Sequence, residues 1–169
     1  MKELKPLDYQ LLFELMKDSH RSDRQLAKSL GISQPTVTRR RAMLEDNIIE
    51  GYTVIPKFGQ IGFELAAFTF LKTNLNHLKA QEKDAAFKKL NDWFMKQPNV
   101  IMVVDGQGMG FYAICASLHE SYTDFAQFLR TMQSELTDVI TETQTFQADL
   151  KPGVLIKPFH LKYVAKTKQ

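Results

Sequence analysis

The segment that most constrains the fold is residues 22–44, which reads SDRQLAKSLGISQPTVTRRRAML. Ser22 and Gln25 fit a capping box, in which each side chain satisfies the other residue's free backbone amide. Gly31 allows the positive φ of a sharp turn, and Pro35 is tolerated in the first turn of the helix that follows. The segment therefore predicts two short helices joined by a tight turn, with three adjacent arginines on the second. This pattern is typical of a helix-turn-helix that enters the major groove of DNA.

Periodic apolar residues extend this domain in both directions. Asp8 is predicted to cap a helix whose leucines form one face, ahead of the helix-turn-helix. Residues 48–55 are β-rich and predict a strand. It serves either as a wing on DNA or for packing and linkage to the second domain. Residues 1–55 are therefore interpreted as a winged helix-turn-helix domain, and residues 56–65, where proline and glycines cluster, as a linker.

The remainder, residues 66–169, alternates between strand and helix patterns. The order β-α-β-β-α-β predicts a ferredoxin-like domain in which two helices cover one face of an antiparallel sheet. The overall fold class is thus α+β. The predicted strands are 66–73, 100–104, 111–118 and 139–150, with a further strand at 154–164, and the predicted helices are 79–97 and 121–136. A glycine-rich turn is predicted at 105–110, between the second and third strands.

Composition excludes several classes of function. The chain has 44% hydrophobic and 24% charged residues, as a globular protein does. No apolar run is long enough to span a bilayer, and the N-terminus lacks a signal peptide, so we expect a cytoplasmic protein without a membrane partner. The four histidines do not have metal-ligand spacing, and we expect no metal, no cofactor and no catalytic residue. The single cysteine, Cys115, lies in an apolar run typical of a buried thiol.

The second helix of the helix-turn-helix carries the candidate DNA contacts. Residues near its N-terminal end approach base edges in this geometry, and glutamine and arginine pair bidentately with adenine and guanine. The alternative interpretation is a solvated basic face used for protein contacts. The candidates for base edges are Gln34, Thr36, Thr38 and Arg39, and the candidates for phosphate are Ser33, Arg40 and Arg41.

These motifs resemble the Lrp/AsnC family of regulators. The resemblance rests on Leu30-Gly31-Ile32-Ser33 at the turn, on Thr36-Val37-Thr38-Arg39-Arg40 in the following helix, on the segment from Ile48 to Thr53, and on the order of the two domains. It implies transcriptional control through double-stranded DNA. It also implies a homodimer, or rings of dimers, held by the C-terminal domains, and activity tuned by a small-molecule effector.

Two positions depart from the family pattern. Arg41 stands where the family usually has an apolar residue. The family members that bind amino acids usually carry Gly-x-x-Asp between the second and third strands, and here that turn reads Gly106-Gln107-Gly108-Met109. The resemblance implies that these four residues bind an effector or form a subunit contact, and the missing carboxylate disfavours an amino acid as the effector. The alternative is a structural hairpin whose glycines allow positive φ.

Two other functions use similar sequences. A chromatin-like protein would bind DNA with little sequence preference, and the modest net charge of +3 argues against it. Sirohaem decarboxylases resemble these regulators and carry histidine and arginine near the second and third strands. Residues 103–107 here read Val-Val-Asp-Gly-Gln, so we expect no such enzyme. The phenylalanines are expected mainly in the core. The alternative for Phe68 and Phe70 is packing across a dimer, because one face of the predicted sheet lacks a cover.

Overall fold

The computed structural model describes residues 4–75, 78–151, 154, 156, 157 and 159–165. The chain forms two compact units, of which the first comprises Met1–Ile55 and Lys157–Gln169 and the second Pro56–Ile156. The domain limits taken from the sequence stay a prediction, and the units differ from them in grouping Lys157–Gln169 with the N-terminal residues. None of the described helices is both long and apolar enough to cross a membrane.

The first unit is built on three helices: α1 (Pro6–Lys17), α2 (Asp23–Leu30) and α3 (Gln34–Asn47). A short 3-10 turn, Leu161–Tyr163, contacts α1. The apolar faces of the helices meet in one core, as the sequence predicted. The core side chains are Leu11, Leu15, Leu26, Ala27, Val37 and Leu44.

The turn between α2 and α3 has the predicted local structure. The Ser22 amide donates to Gln25 Oε1 at 2.8 Å, and the Gln25 amide donates to Ser22 Oγ at 3.3 Å. Gly31 has φ +68° and ends α2. Asp8 caps α1 from a different position than predicted: the helix begins at Pro6, and Asp8, inside its first turn, accepts the backbone amide of the N-cap residue Lys5. Proline is favoured at this first position, where its missing N–H would have no helical partner.

Two predicted strands are wrong. Residues 50–57 have no regular secondary structure, so the wing predicted at 48–55 does not form within one chain. The backbone amides and carbonyls of a strand need a second strand to pair with, and the described part of the first unit contains none. The strand predicted at 154–164 is replaced, in its described residues, by the 3-10 turn Leu161–Tyr163. Pro158 interrupts that segment and cannot donate to a ladder.

The second unit has the predicted βαββαβ order. Its strands form one antiparallel sheet in the order β2-β3-β1-β4, and a 3-10 turn, Phe58–Gln60, precedes them. The elements are β1 (Leu65–Thr73), α4 (Ala80–Phe94), β2 (Val100–Gly108), β3 (Phe111–His119), α5 (Tyr122–Glu135) and β4 (Ile140–Asp149).

The two faces of this sheet differ in burial. On β1, Ala67, Thr69 and Leu71 are buried, and Leu71 packs with side chains of α4 and α5 in the core. The alternate residue Phe68 points to the other face, where it pairs with Phe146 of β4. Phe68 is 38% exposed and Phe146 is 66% exposed. One face of the sheet is therefore an exposed apolar surface, as the sequence predicted.

The hairpin between β2 and β3 is tighter than predicted. Gly108 pairs with Phe111, so the strands continue to a two-residue turn of Met109 and Gly110. These residues have φ +52° and +80°. Positive φ at both central residues matches the twist of antiparallel strands. The turn predicted at 105–110 is therefore wrong in its first four residues, which belong to β2.

Candidate nucleic-acid interface

Helix α3 presents a polar face because its apolar residues are buried on the opposite side. Val37 and Leu44 are fully buried in the helical core. Gln34, Thr38 and Arg39 are exposed, together with Ser33 just before the helix. Thr36, Arg40 and Arg41, which complete the predicted set, are partly buried. The structure thus brings all seven residues onto one short helix but places their end groups in different surroundings.

The first turn of α3 lacks a side-chain cap. Ser33 does occupy the N-cap position, but its side chain makes no capping hydrogen bond to a backbone amide. Its hydroxyl lies 2.8 Å from the Thr36 hydroxyl instead. The positive end of the helix dipole therefore lies beside two hydroxyl groups, either of which can donate a hydrogen bond. This arrangement suits an anionic oxygen.

Asp23 connects the start of α2 to α3 through both oxygens of its carboxylate. Thr38 Oγ1 donates to Asp23 Oδ2 at 2.6 Å, and Arg41 Nη1 donates to Asp23 Oδ1 at 3.2 Å. The two donors, Thr38 and Arg41, lie almost one helical turn apart on α3. They fix the rotation of α3 about its own axis relative to α2.

Arg41 is enclosed by further partners. Its Nε donates to Glu45 Oε1 at 3.0 Å, and its guanidinium lies 5.6 Å from the centre of the Tyr52 ring. The Tyr52 hydroxyl also donates to Glu45, at 2.9 Å. Burial opposes the charge of Arg41, but the bonds to Glu45 and Asp23 outweigh burial and raise the pKa of the guanidinium above its usual value. These polar partners explain how an arginine replaces an apolar residue here.

Arg40 faces the opposite side, toward α1. Its Nη1 donates to Asp8 Oδ1 at 2.5 Å, and Asp8 is only 2% exposed. The Asp8 carboxylate also accepts the backbone amide of Lys5 at 2.8 Å. A buried carboxylate needs such partners, because an unpaired buried charge is costly. Arg40 therefore links α3 to α1, as Arg41 links α3 to α2.

Arg39 differs from both neighbours. It is exposed, and it makes no hydrogen bond or ion pair with the residues that the structure describes. The Gln34 side chain is likewise exposed and unbonded within the described part of the chain. Both side chains can therefore donate to a partner without first breaking a contact inside the protein.

The predicted effector residues lie at the tip of the β2–β3 hairpin. Gly106, Gln107 and Gly108 belong to β2, and Met109 opens the turn with 78% of its surface exposed. All four are exposed. The tip of a hairpin in a single chain does not enclose a ligand, so effector binding at these residues stays a prediction.

The second unit contains a buried polar network that the sequence pattern did not predict. Ser117 Oγ and Asp124 Oδ2 each lie 2.9 Å from a ring nitrogen of His119. Because an ionised carboxylate only accepts hydrogen bonds, Nδ1 carries the proton for Asp124 and Nε2 accepts the Ser117 hydroxyl. Burial, opposed by Asp124, lowers the pKa of His119. Only the i, i+2 spacing of Ser117 and His119 on one strand face hinted at this contact.

Known proteins share both the helix-turn-helix and the two-unit fold. The sequence profile of the AsnC-type helix-turn-helix domain matches residues 6–45. An uncharacterized HTH-type transcriptional regulator of Pyrococcus furiosus is 29% identical over 147 residues, which cover 86% of this chain and 91% of that protein. The HTH-type transcriptional regulator LrpC of Bacillus subtilis is 26% identical over 141 residues, 82% of this chain and 92% of that protein.

Solved structures agree on the fold. The structure of B. subtilis LrpC has a TM-score of 0.70 at 22% identity and covers 87% of this chain and 94% of its own. A transcriptional regulator of Neisseria meningitidis, solved as a complex with L-Met, has a TM-score of 0.77 at 20% identity and covers 92% of this chain and 94% of its own. The fold, with a helix-turn-helix and a βαββαβ unit in this order along the chain, is therefore shared with these regulators.

Proposed function

Because this chain is a transcription regulator of the Lrp/AsnC family, we propose that α3 reads a DNA operator in the major groove through Arg39 and Gln34. The observation that carries this proposal is the contrast between Arg39 and its neighbours. Arg39 has no partner among the described residues, whereas Arg40 and Arg41 bond carboxylates. Arginine pairs bidentately with guanine, and glutamine with adenine.

The remaining candidates position α3 on the duplex. The methyl groups of Thr36 and Thr38 suit a thymine methyl. Arg40 and Arg41 each keep a terminal Nη2 that bonds no described residue, and we propose that these atoms reach phosphate. Ser33 adds the positive helix end. These contacts fix orientation but carry little base specificity.

We also propose that the working species is a homodimer or a higher assembly of dimers. Two copies of α3 would then meet half-sites about one helical turn apart, and the operator would be roughly palindromic. The support is the exposed apolar face of the sheet around Phe68 and Phe146. A dimer also offers a way for the hairpin tips of two chains to enclose an effector near Gly106–Met109. An apolar effector fits these residues better than an amino acid, since no carboxylate lies among them.

We propose no catalytic activity. The Ser117–His119–Asp124 order is that of a nucleophile, a base and an orienting acid. Ser117 and His119 are both buried, however, in the core between sheet and helices. A nucleophile must meet its substrate, and this hydroxyl faces the protein interior. We therefore assign the network a structural role.

The test is fluorescence anisotropy with the DNA upstream of the chain's own gene and with random DNA, at two salt concentrations. A preference of roughly 10³ or more for the upstream DNA is expected of a specific regulator. Arg39→Ala is expected to cost about 1–3 kcal/mol on the preferred DNA and much less on random DNA.

The matched control is Arg130→Ala, which removes an exposed arginine from α5. It is expected to leave both affinities unchanged. Equal losses on both DNAs for Arg39→Ala would assign Arg39 to phosphate instead. Equal, steeply salt-dependent binding of the wild type to both DNAs would favour the chromatin-like alternative.

A further inference from the structure

The positive charge of this chain is concentrated in its C-terminal tail, residues 150–169. The tail contains five lysines and no aspartate or glutamate. Residues 1–150 hold 17 lysines and arginines against 19 acids, so they are net negative. The net charge of +3 therefore comes entirely from the tail. This local excess of positive charge would attract an anionic partner.

From Lys157 onward, the described part of the tail belongs to the unit that contains the helix-turn-helix, whereas residues 150–156 belong to the second unit. Its 3-10 turn, Leu161–Tyr163, contacts α1. His160 caps this turn by accepting the Lys162 amide at 3.0 Å, and Ala165, just beyond the turn, is buried. The tail is thus anchored to the helix that Arg40 of α3 also contacts through Asp8.

Lys157, which precedes the turn, and Lys162, which lies within it, lack acidic partners among the described residues. Lys157 Nζ lies 4.1 Å and Lys162 Nζ 5.5 Å from the centre of the Tyr163 ring. Both lysines are exposed, and neither makes an ion pair with the residues that the structure describes. A cation over a ring keeps most of its donors available, unlike Arg40 and Arg41, which already bond carboxylates. Lysine in this setting suits the point charge of a phosphate.

We propose that the tail is a second DNA-binding element, in which Lys157 and Lys162 contact backbone phosphates beside the site occupied by α3. Lys166 and Lys168 continue the same charge in the sequence but lie outside the described residues. The inference rests on the proposed function, because Lys157 and Lys162 belong to the same compact unit as α3. Its contribution is independent of base sequence, since phosphates are the same along the duplex. It supplies the positive charge that residues 1–150 lack.

The test uses the full-length double variant Lys157→Gln/Lys162→Gln. The matched control is Lys83→Gln/Lys96→Gln, which removes two exposed lysines from the second unit. Affinities for the preferred DNA and for random DNA are measured by anisotropy across a salt series. The tail variant is expected to reduce the slope of log K against log salt by about 1–2, at roughly 0.9 per phosphate contact. It is also expected to weaken binding to both DNAs on the order of tenfold at low salt. The ratio of the affinities for the two DNAs is expected to stay constant.

A further variant, Lys157→Arg/Lys162→Arg, keeps the charge and is expected to keep the wild-type salt dependence. Thermal melts check that each variant is folded. An unchanged salt slope in the Gln variant, while Arg39→Ala still loses specificity, would overturn the tail proposal and leave the α3 proposal intact. Wild-type binding to phosphatidylserine vesicles that the Gln variant loses, with DNA binding unchanged, would overturn it in favour of a membrane. Absence of wild-type DNA binding would overturn the proposed function itself.

Discussion

Three consecutive arginines of α3 occupy three different electrostatic environments. Successive residues of a helix point about 100° apart, so Arg40 meets Asp8 of α1 and Arg41 meets Asp23 of α2. Arg39 alone points away from both helices. The charge available to DNA is therefore smaller than the triplet suggests, because a guanidinium paired with a carboxylate has little net field. Specificity benefits, since sequence-independent attraction is reduced relative to base contacts.

Asp23→Asn tests this balance directly. The substitution removes the charge that holds Arg41 and weakens the bond from Thr38. We expect tighter binding to random DNA, a salt slope steeper by up to about 0.9, and a smaller preference for the operator. Anisotropy across a salt series measures all three. Asp92→Asn on α4, which removes an exposed acid paired with Lys88, is the control and should change none of them. Weaker binding to random DNA would contradict the idea that Asp23 restrains Arg41.

At the scale of elements, the β2–β3 hairpin contains the one strained residue among those described. Met109 has φ +52°, a conformation that costs a side-chain-bearing residue about 1–2 kcal/mol. Met109→Gly should raise the free energy of unfolding by about 0.5–1 kcal/mol, because glycine adopts this φ without strain but loses more chain entropy. Urea denaturation measures the change. Met109→Ala keeps the strain and should give no gain, and a loss in the glycine variant would mean that the Met109 side chain stabilises the turn.

The contact between β3 and α5 makes stability depend on pH. The pKa of His119 is lowered from 6.5 by burial, against the opposing effect of Asp124. Below the pKa that His119 has in the unfolded chain, the unfolded chain binds a proton that the folded chain does not. The free energy of unfolding is therefore highest above that pKa and decreases as the pH falls. One proton gives at most about 1.4 kcal/mol per pH unit. Urea denaturation at pH 7.5 and 5.5 should show a smaller pH effect in His119→Gln than in the wild type. Equal pH effects would mean that His119 binds its proton when folded.

Local patterns predicted the elements whose structure is set locally. The capping box at Ser22, the turn at Gly31 and the alternation along β1 depend on neighbours within a few residues, and all three were predicted correctly. The wing at 48–55 was predicted from β propensity alone. Propensity does not supply the partner strand on which a ladder depends.

Long-range contacts account for the features of the site that the sequence did not reveal. Arg40 bonds Asp8, 32 residues earlier, and Arg41 bonds Asp23, 18 residues earlier. The sequence therefore indicated which helix carries the basic residues but not which arginine is unpaired. The predicted β2–β3 turn is too long for a related reason. Glycine is typical of turns, but Gly106 and Gly108 belong to strand β2, and Gly108 pairs with Phe111 of β3.

For the whole molecule, the open face of the sheet is an apolar surface that a single chain leaves exposed to water. Phe68 and Phe146 face each other across β1 and β4, and Met102 and Val104 of β2 are exposed on the same side. Burying such a surface against a second copy removes apolar area from water on both partners. The same association would set the distance between two copies of α3, so the apolar face and the operator symmetry are parts of one argument.

Phe146→Lys should therefore convert the protein to monomers without unfolding it. Phe146 is 66% exposed, so a charged side chain is tolerated in one chain but not between two. Sedimentation equilibrium should give about twice the chain mass of 19.4 kDa, or a larger multiple, for the wild type and a single mass for the variant. Phe87→Lys, which changes a 55% exposed phenylalanine on α4, is the control and should stay associated.

Loss of association should also lower operator affinity by about 10²–10⁴-fold, because the second half-site is then no longer bound intramolecularly. This loss differs from that of Arg39→Ala, which should leave the mass unchanged. It should also be recovered partly at high protein concentration, where two monomers occupy the two half-sites independently. A wild-type protein that is monomeric at micromolar concentration would contradict the dimer. A monomeric variant with full operator affinity would instead show that one copy of α3 is sufficient.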